Sequence, residues 1–275
     1  MEQLQLESNG LVFDAVADGP ADGRPVVLLH GFPQTSHSWR HVMPALAGAG
    51  MRVVAPDQRG YSAGARPTDT SAYAMTHLVD DVIGMLDALG AEQADVVGHD
   101  WGAAVAWQVA GRHPERVRTL TAVSVPHPAA FVEALRTDED QQQRSQYMRF
   151  FQQVGVAEDA LLADNAAALR AVFGPVQDVD RYVAHMQQPG ALTAALGWYR
   201  AQDLADVEAA GPTTVPTLYV WSDNDIALGP VGAHATASHV TGPYRFEVLH
   251  GVSHWVPDEA PDELSTWLLE HLAAH

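Results

Sequence analysis

Residues 94–112 read ADVVGHDWGAAVAWQVAGR. The first five, Ala94–Gly98, are a short, mostly aliphatic run, as expected of a strand buried on both faces. Ala103–Arg112 is rich in good helix formers and reads as a helix. Between them stands Gly98-His99-Asp100-Trp101-Gly102, which places an acidic side chain on a sharp turn with a glycine two residues to either side. A strained, closely packed turn leaves no room for a Cβ, which accounts for the glycines. Such a strand–turn–helix displays a nucleophile at the end of a sheet, here the Asp100 carboxylate in place of the usual serine. Alone, Gly-x-Asp-x-Gly is a common spacing, and an aspartate there also serves as a helix N-cap. Its position after an aliphatic strand, and its partners further along the chain, decide for the nucleophile.

The same alternation extends in both directions. Val26–Leu29, Met51–Ala55, Val117–Val123 and Thr217–Trp221 are aliphatic runs, and Ser38–Ala47, Thr76–Leu89 and Pro261–Leu272 carry helical patterns. Leu4–Leu6 and Leu11–Val16 alternate apolar and polar residues around Asn9-Gly10, which reads as a hairpin. Strands alternating with helices give βαβ units, hence an α/β fold with a mostly parallel sheet covered on both faces. The reactive site of such a sheet lies beyond the C-terminal ends of its strands. The alternation breaks between about Pro128 and Ala210, where the pattern is helical only, interrupted at Gly174-Pro175 and Pro189-Gly190. The predicted organisation is therefore a core of residues 1–128 and 211–275 with a helical cap inserted at 129–210, above the strand ends.

Two further groups complete the site. The strand Thr217–Trp221 runs into Ser222-Asp223-Asn224-Asp225, where the acid of a triad belongs. Both aspartates qualify, and both also suit a turn; Asp225 is preferred. His254, in His250-Gly251-Val252-Ser253-His254-Trp255, is the candidate base, and the chain order nucleophile, acid, histidine is that of a hydrolase with a nucleophile elbow. His250 and His254 would bind a metal only from a helix, and Gly251 with Pro257 indicates a loop, so no metal is expected. Val26–Leu29 ends in His30-Gly31-Phe32-Pro33, whose glycine lets a backbone N–H point at the nucleophile. The N–H groups of Phe32 and Trp101 would form an oxyanion hole, and His30 reads as a structural hydrogen-bonding group.

Composition narrows the class. The chain has 275 residues, 47% hydrophobic and 18% charged, with a formal net charge of −19. That charge opposes nucleic-acid binding and docking on anionic membranes. All 15 basic residues are arginine, so no lysine is present for Schiff-base chemistry. With no cysteine, disulfides and thiolate chemistry are excluded. MEQLQLESNG lacks the regions of a signal peptide, and no apolar stretch spans a bilayer, so a cytoplasmic location is expected. No cofactor is expected.

These motifs together resemble the epoxide hydrolases of the α/β-hydrolase superfamily. The matching pieces are His30-Gly31-Phe32-Pro33 with Ser38-Trp39-Arg40, Asp57-Gln58-Arg59-Gly60-Tyr61-Ser62, His99-Asp100-Trp101-Gly102, Val125-Pro126-His127-Pro128, Gly197-Trp198-Tyr199-Arg200 and Ser253-His254-Trp255. The resemblance implies an eight-stranded, mostly parallel sheet with a helical cap. It also implies two cap tyrosines that hydrogen-bond an epoxide oxygen: Tyr199, and Tyr147 in Tyr147-Met148-Arg149-Phe150, ahead of Tyr182. Both also lie on apolar helical faces that suit a core. Phe32, Trp101, His127, Trp198 and Trp255 are expected to contact substrate. The implied reaction is hydrolysis of a small apolar epoxide by water to a vicinal diol, a detoxification chemistry, through an ester on Asp100, and a homodimer is compatible with it. Haloalkane and haloacid dehalogenases share the Asp–His–Asp set. The former commonly have asparagine at the place of Phe32, to donate to halide, and the latter usually have arginine after the nucleophile, where this chain has Trp101. A ligand-binding protein without turnover is the remaining alternative.

Overall fold

Asn9 and Gly10 take positive φ values of 52° and 75° and turn the chain between β1 (Glu2–Ser8) and β2 (Leu11–Asp18). Ser8 pairs with Leu11, a two-residue hairpin whose left-handed turn suits asparagine and glycine. The computed structural model describes residues 1–174 and 176–275, apart from the side chains at 204 and 206. Pro175, half of one expected interruption, lies outside the described residues.

Six more strands follow: β3 (Arg24–Leu29), β4 (Met51–Pro56), β5 (Ala94–His99), β6 (Val117–Val123), β7 (Thr217–Ser222) and β8 (Tyr244–Leu249). They form one eight-stranded sheet in the order β1-β2-β4-β3-β5-β6-β7-β8. Pairing is antiparallel for β1–β2 and β2–β4 and parallel elsewhere. The α/β reading with a mostly parallel eight-stranded sheet is thus what the chain adopts. β8 had no aliphatic run to announce it. Tyr-Arg-Phe-Glu-Val-Leu alternates instead, because β8 pairs only with β7 and forms an edge that is partly wet.

The helices are α1 (Met43–Gly48), α2 (Met75–Ala88), α3 (Trp101–Arg112), α4 (Pro128–Thr137), α5 (Glu139–Arg144), α6 (Gln146–Phe151), α7 (Val156–Val172), α8 (Val179–Met186), α9 (Ala191–Arg200), α10 (Leu204–Glu208), α11 (Pro230–Ala235), α12 (Val256–Glu259) and α13 (Pro261–Ala274). The helix expected over Ser38–Ala47 divides into a 3₁₀ turn, Ser36–Trp39, and α1. Pro44 has no N–H to donate and sits in the first turn of α1, so a new helix starts just before it. The two-residue period of β3 sorts the layers. Val26 and Leu28 pack in a cluster with Met43, Leu46, Leu264 and Leu268, from α1 and α13. Val27 and Leu29 pack in a second with Val82, Leu86, Val105 and Trp107, from α2 and α3.

From α4 to α10 the described chain is helical, with no strand between β6 and β7. α7 breaks at Ala163–Ala166, where Asp164, Asn165 and Ala166 take φ of 50°, 57° and 58°. Among the described residues no helix is long and apolar enough to cross a membrane.

Candidate active site

Asp100 occupies the turn between β5 and α3 with φ 52° and ψ −123°, a conformation that costs an aspartate of order 1–3 kcal/mol. Its neighbours force it. A Cβ on Gly98 would fall 2.2 Å from the carbonyl oxygen of Gly102, and one on Gly102 would fall 2.1 Å from that of Leu29. The strand and the helix therefore meet without side chains between them, and the turn projects its carboxylate outward.

Asp100 Oδ1 accepts the backbone N–H of Phe32 at 2.8 Å, and the Trp101 N–H acts electrostatically on the same carboxylate. Oδ2 faces His254 Nε2 at 3.5 Å. On the far side of the ring, His254 Nδ1–H donates to Asp225 Oδ2 at 2.8 Å. The other oxygen of Asp225 accepts the N–H groups of Ala227 and Leu228 at 2.7 and 3.0 Å, which fixes the carboxylate in its own turn. Asp223 points elsewhere, to His250 Nδ1 and the Gly251 N–H, both at 2.7 Å. Of the two aspartates that the sequence leaves open, Asp225 is the one bonded to His254.

The electrostatics follow from this packing. Burial alone would lower the His254 imidazole. The charge of Asp225 and the hydrogen bonds to Asp100 and Asp225 outweigh it and raise its pKa to about 10. Burial would raise the Asp100 carboxyl, but the His254 contact, nearby His99 and the Trp101 N–H hold it below the usual range. His99 is buried at the other edge, its pKa lowered to about 4 chiefly by burial, and donates from Nε2 to the His254 carbonyl at 2.9 Å. His30 acts structurally, as expected. Its Nε2 accepts the Gln58 N–H at 3.1 Å, so Nδ1 carries the proton and donates to the Gly31 carbonyl at 3.0 Å.

Two cavities, of about 90 and 240 Å³, meet at Asp100, and both are also lined by Tyr147 and Tyr199. Tyr199 comes from α9 and Tyr147 from α6. The Tyr199 ring is boxed edge-on by Phe32, Trp101 and Phe151, with centroids 5.5, 5.0 and 4.9 Å away. Its helix is tied down by Arg200, which grips Glu158 at 2.7 and 3.0 Å. Tyr147 faces Tyr199 at 6.0 Å. Both phenols are held protonated: Tyr199 by burial and then by Tyr147 and Asp100, and Tyr147, itself 36% exposed, by loss of solvent around its hydroxyl and by the charges of Asp100 and Asp225. Tyr182, the weaker alternative, lies on α8 and stacks on Phe173, outside both cavity linings.

Phe32 and Trp255 line the larger cavity and Trp101 the smaller. His127 and Trp198, also expected to contact substrate, line neither of these two cavities. His127 Nδ1 accepts the Ala129 N–H and caps α4, and its ring stacks on His239 at 4.9 Å. Trp198 is buried with its indole N–H on the Arg59 carbonyl at 2.8 Å, and supports Trp101 from behind at 5.8 Å. Phe151 and Leu228 line the cavities without having been foreseen. The signal for Phe151 was present, since it follows Tyr147 by one helical turn.

The α/β-hydrolase fold family matches residues 24–261. An AB hydrolase superfamily protein of Bacillus subtilis is 35% identical over 276 residues, covering 97% of this chain and 96% of the relative. Epoxide hydrolase A of Mycobacterium tuberculosis is 33% identical, covering 97% of this chain and 96% of its own. The crystal structure of epoxide hydrolase A from Mycobacterium thermoresistibile superposes with a TM-score of 0.86 at 32% identity, over 99% of this chain and 98% of that one.

Proposed function

The chain belongs to the epoxide-hydrolase branch of the α/β-hydrolase fold family and hydrolyses epoxides to vicinal diols; from that premise we propose that it does so through a covalent ester on Asp100. The observation that carries the reading is the shared boundary of the two cavities, where a carboxylate and two phenols face the same space. Residues 129–210 act in this reading as a cap that lends the phenols to the core.

In the resting enzyme Oδ1 of Asp100 rests in the oxyanion hole and Oδ2 is the attacking oxygen. Oδ2 displaces the ring oxygen from an epoxide carbon while Tyr199 and Tyr147 donate to it, and one phenol gives up its proton. A buried phenolate is costly, so that proton must be restored. The imidazolium of His254, which lines the larger cavity with both phenols, is the source, and ring opening releases it. Alkylation removes the negative charge of Asp100, one of the two anions that hold the His254 pKa near 10. The first half-reaction thus turns His254 into the base that the second requires.

Neutral His254, oriented by Asp225, then takes a proton from water as the oxygen attacks Cγ of Asp100. The former Oδ1 becomes the oxyanion, facing the N–H groups of Phe32 and Trp101. Collapse expels the diol oxygen, which takes the proton back from His254. The acid proton left on Asp100 returns to His254, and the cycle closes with one water consumed. Halide displacement is supported less well, because Phe32 offers no side-chain donor and the two phenols, which a leaving halide does not need, line both cavities.

A single turnover in ¹⁸O-water tests the ester. Label in the Asp100 carboxyl and none in the diol is the expected result. Label in the diol during the first turnover would sink the covalent reading.

A further inference from the structure

The loop that carries Asp225 has no regular structure between β7 and α11, and Ile226 on it is 64% exposed. Such a segment does not aim a carboxylate by itself. Gln141 on α5 reaches it from the inserted helices, and this side chain is only 1% exposed. Its Nε2 donates to the Ala227 carbonyl at 2.8 Å and to Ser145 Oγ at 2.9 Å, while its Oε1 accepts the Gly229 N–H at 2.8 Å. One turn further on, Arg144 donates to the backbone carbonyl of Asp225 itself, with its own Nε held by Asp140 at 2.7 Å. The approach is close enough that a Cβ on Gly229 would lie 3.2 Å from Asp140 Oδ2 and 3.4 Å from Gln141 Oε1.

We propose that Gln141, seconded by Arg144, is a positioning residue for Asp225. α5 holds residues 225–229 in the one arrangement that turns Oδ2 towards His254, so the seating of the inserted helices governs ester hydrolysis. The inference rests on the covalent reading above for its kinetic form, though not for its geometry. Ala227 links the two ends: its N–H donates to Asp225 Oδ1 and its carbonyl accepts from Gln141. A side chain present only to fill space would not use both ends of its amide on this loop, and removing it would leave the buried Gly229 N–H and the part-buried Ala227 carbonyl without their partner. Ring opening needs Asp100 and the phenols, whereas hydrolysis needs the imidazole that Asp225 orients, so the two half-reactions separate the roles.

The test uses the full chain and Gln141→Met, which keeps the length and removes both hydrogen-bonding ends, with Arg144→Gln as a second variant should the first fold poorly. Intact-mass quenched flow with styrene oxide gives both half-reaction rates. Gln141→Met should open the ring at nearly the wild-type rate and hydrolyse the ester about 10-fold more slowly or worse, so that ester accumulates. The pKa of His254 in the resting protein, followed by NMR, should fall in both variants. Asp100 and His99 from the elbow and Asp225 from the loop are the titratable groups facing that ring, and only Asp225 is expected to move. Asp178→Asn is the control. It breaks a contact between the inserted helices and the core, at His37 (3.0 Å) and Arg40 (3.4 Å), on another loop, and should change neither quantity.

Equal slowing of both half-reactions, or an unmoved His254 titration, would overturn the assignment. His254→Gln must trap the ester. If it does not, the covalent reading fails, and the His254 titration in Gln141→Met alone decides whether Gln141 positions Asp225.

Discussion

Asp100, Asp225 and His254 stand on turns at the ends of β5, β7 and β8, and each is fixed by hydrogen bonds of 3 Å or less to neighbouring backbone or side chains. Tyr147 and Tyr199 come from helices of the inserted segment and are held mainly by ring edges at 4.9–6.0 Å. The sheet side thus carries directional contacts that specify orientation, while the helical side carries dispersion contacts that tolerate small shifts. The difference matches what the proposed reaction asks of each half. Displacement at carbon and general-base catalysis depend steeply on angle, whereas a phenol that donates to an oxygen needs only to be near it.

Substitutions on the two sides should therefore differ in kind. Asp100→Asn should lower diol formation about 10⁴-fold or more with the fold intact by circular dichroism. A variant with a tenth of wild-type activity would end the nucleophile assignment. Asp225→Asn should cost about 10³-fold in ester hydrolysis while ring opening survives, read as trapped ester by mass. Tyr199→Phe should cost about 10²-fold in ring opening, and Tyr147→Phe less, because Tyr199 still holds the oxygen. Were either to match Asp100→Asn, the contrast between the halves would collapse.

Stability versus pH probes the sheet side alone. The folded His254 pKa, about 10, lies above its ordinary value of 6.5. Its interaction with Asp225 and Asp100 is thus fully present below about pH 6.5 and is lost as pH rises through 10. Thermal melts of wild type and His254→Gln should converge as pH climbs across that window, and a constant gap would contradict it. The smallest effect is expected at Asp223→Asn. Asp223 pairs with exposed His250, so activity should stay within about 2-fold.

How far the sequence could be read follows from the same contrast. Asp100 was legible because strand, turn glycines and helix are contiguous, and His254 because its place in chain order is fixed. The choice of Asp225 over Asp223 was not settled, since both lie in one acidic turn. The fold separates them: Asp225 is bonded to His254, while Asp223 turns to His250 and Gly251. Tyr199 and Tyr147 required the family resemblance, because an apolar helical face does not say whether it meets core or cavity. His127 and Trp198 show the converse: they belong to motifs near the site yet serve the scaffold. Gln141 had no local signal, as its partners on the Asp225 loop lie 86 and 88 residues away.

The two cavities that meet at Asp100 have unequal volumes, about 90 and 240 Å³. An epoxide seated at their junction with two different substituents must send the bulkier one into the wider chamber. Mirror-image substrates then offer opposite ring carbons to the same oxygen. The handedness of the diol would in that case be decided by the aliphatic and aromatic walls, Met75, Phe131 and Leu228 against Val172, Phe151 and Trp255, and not by any group that takes part in bond breaking.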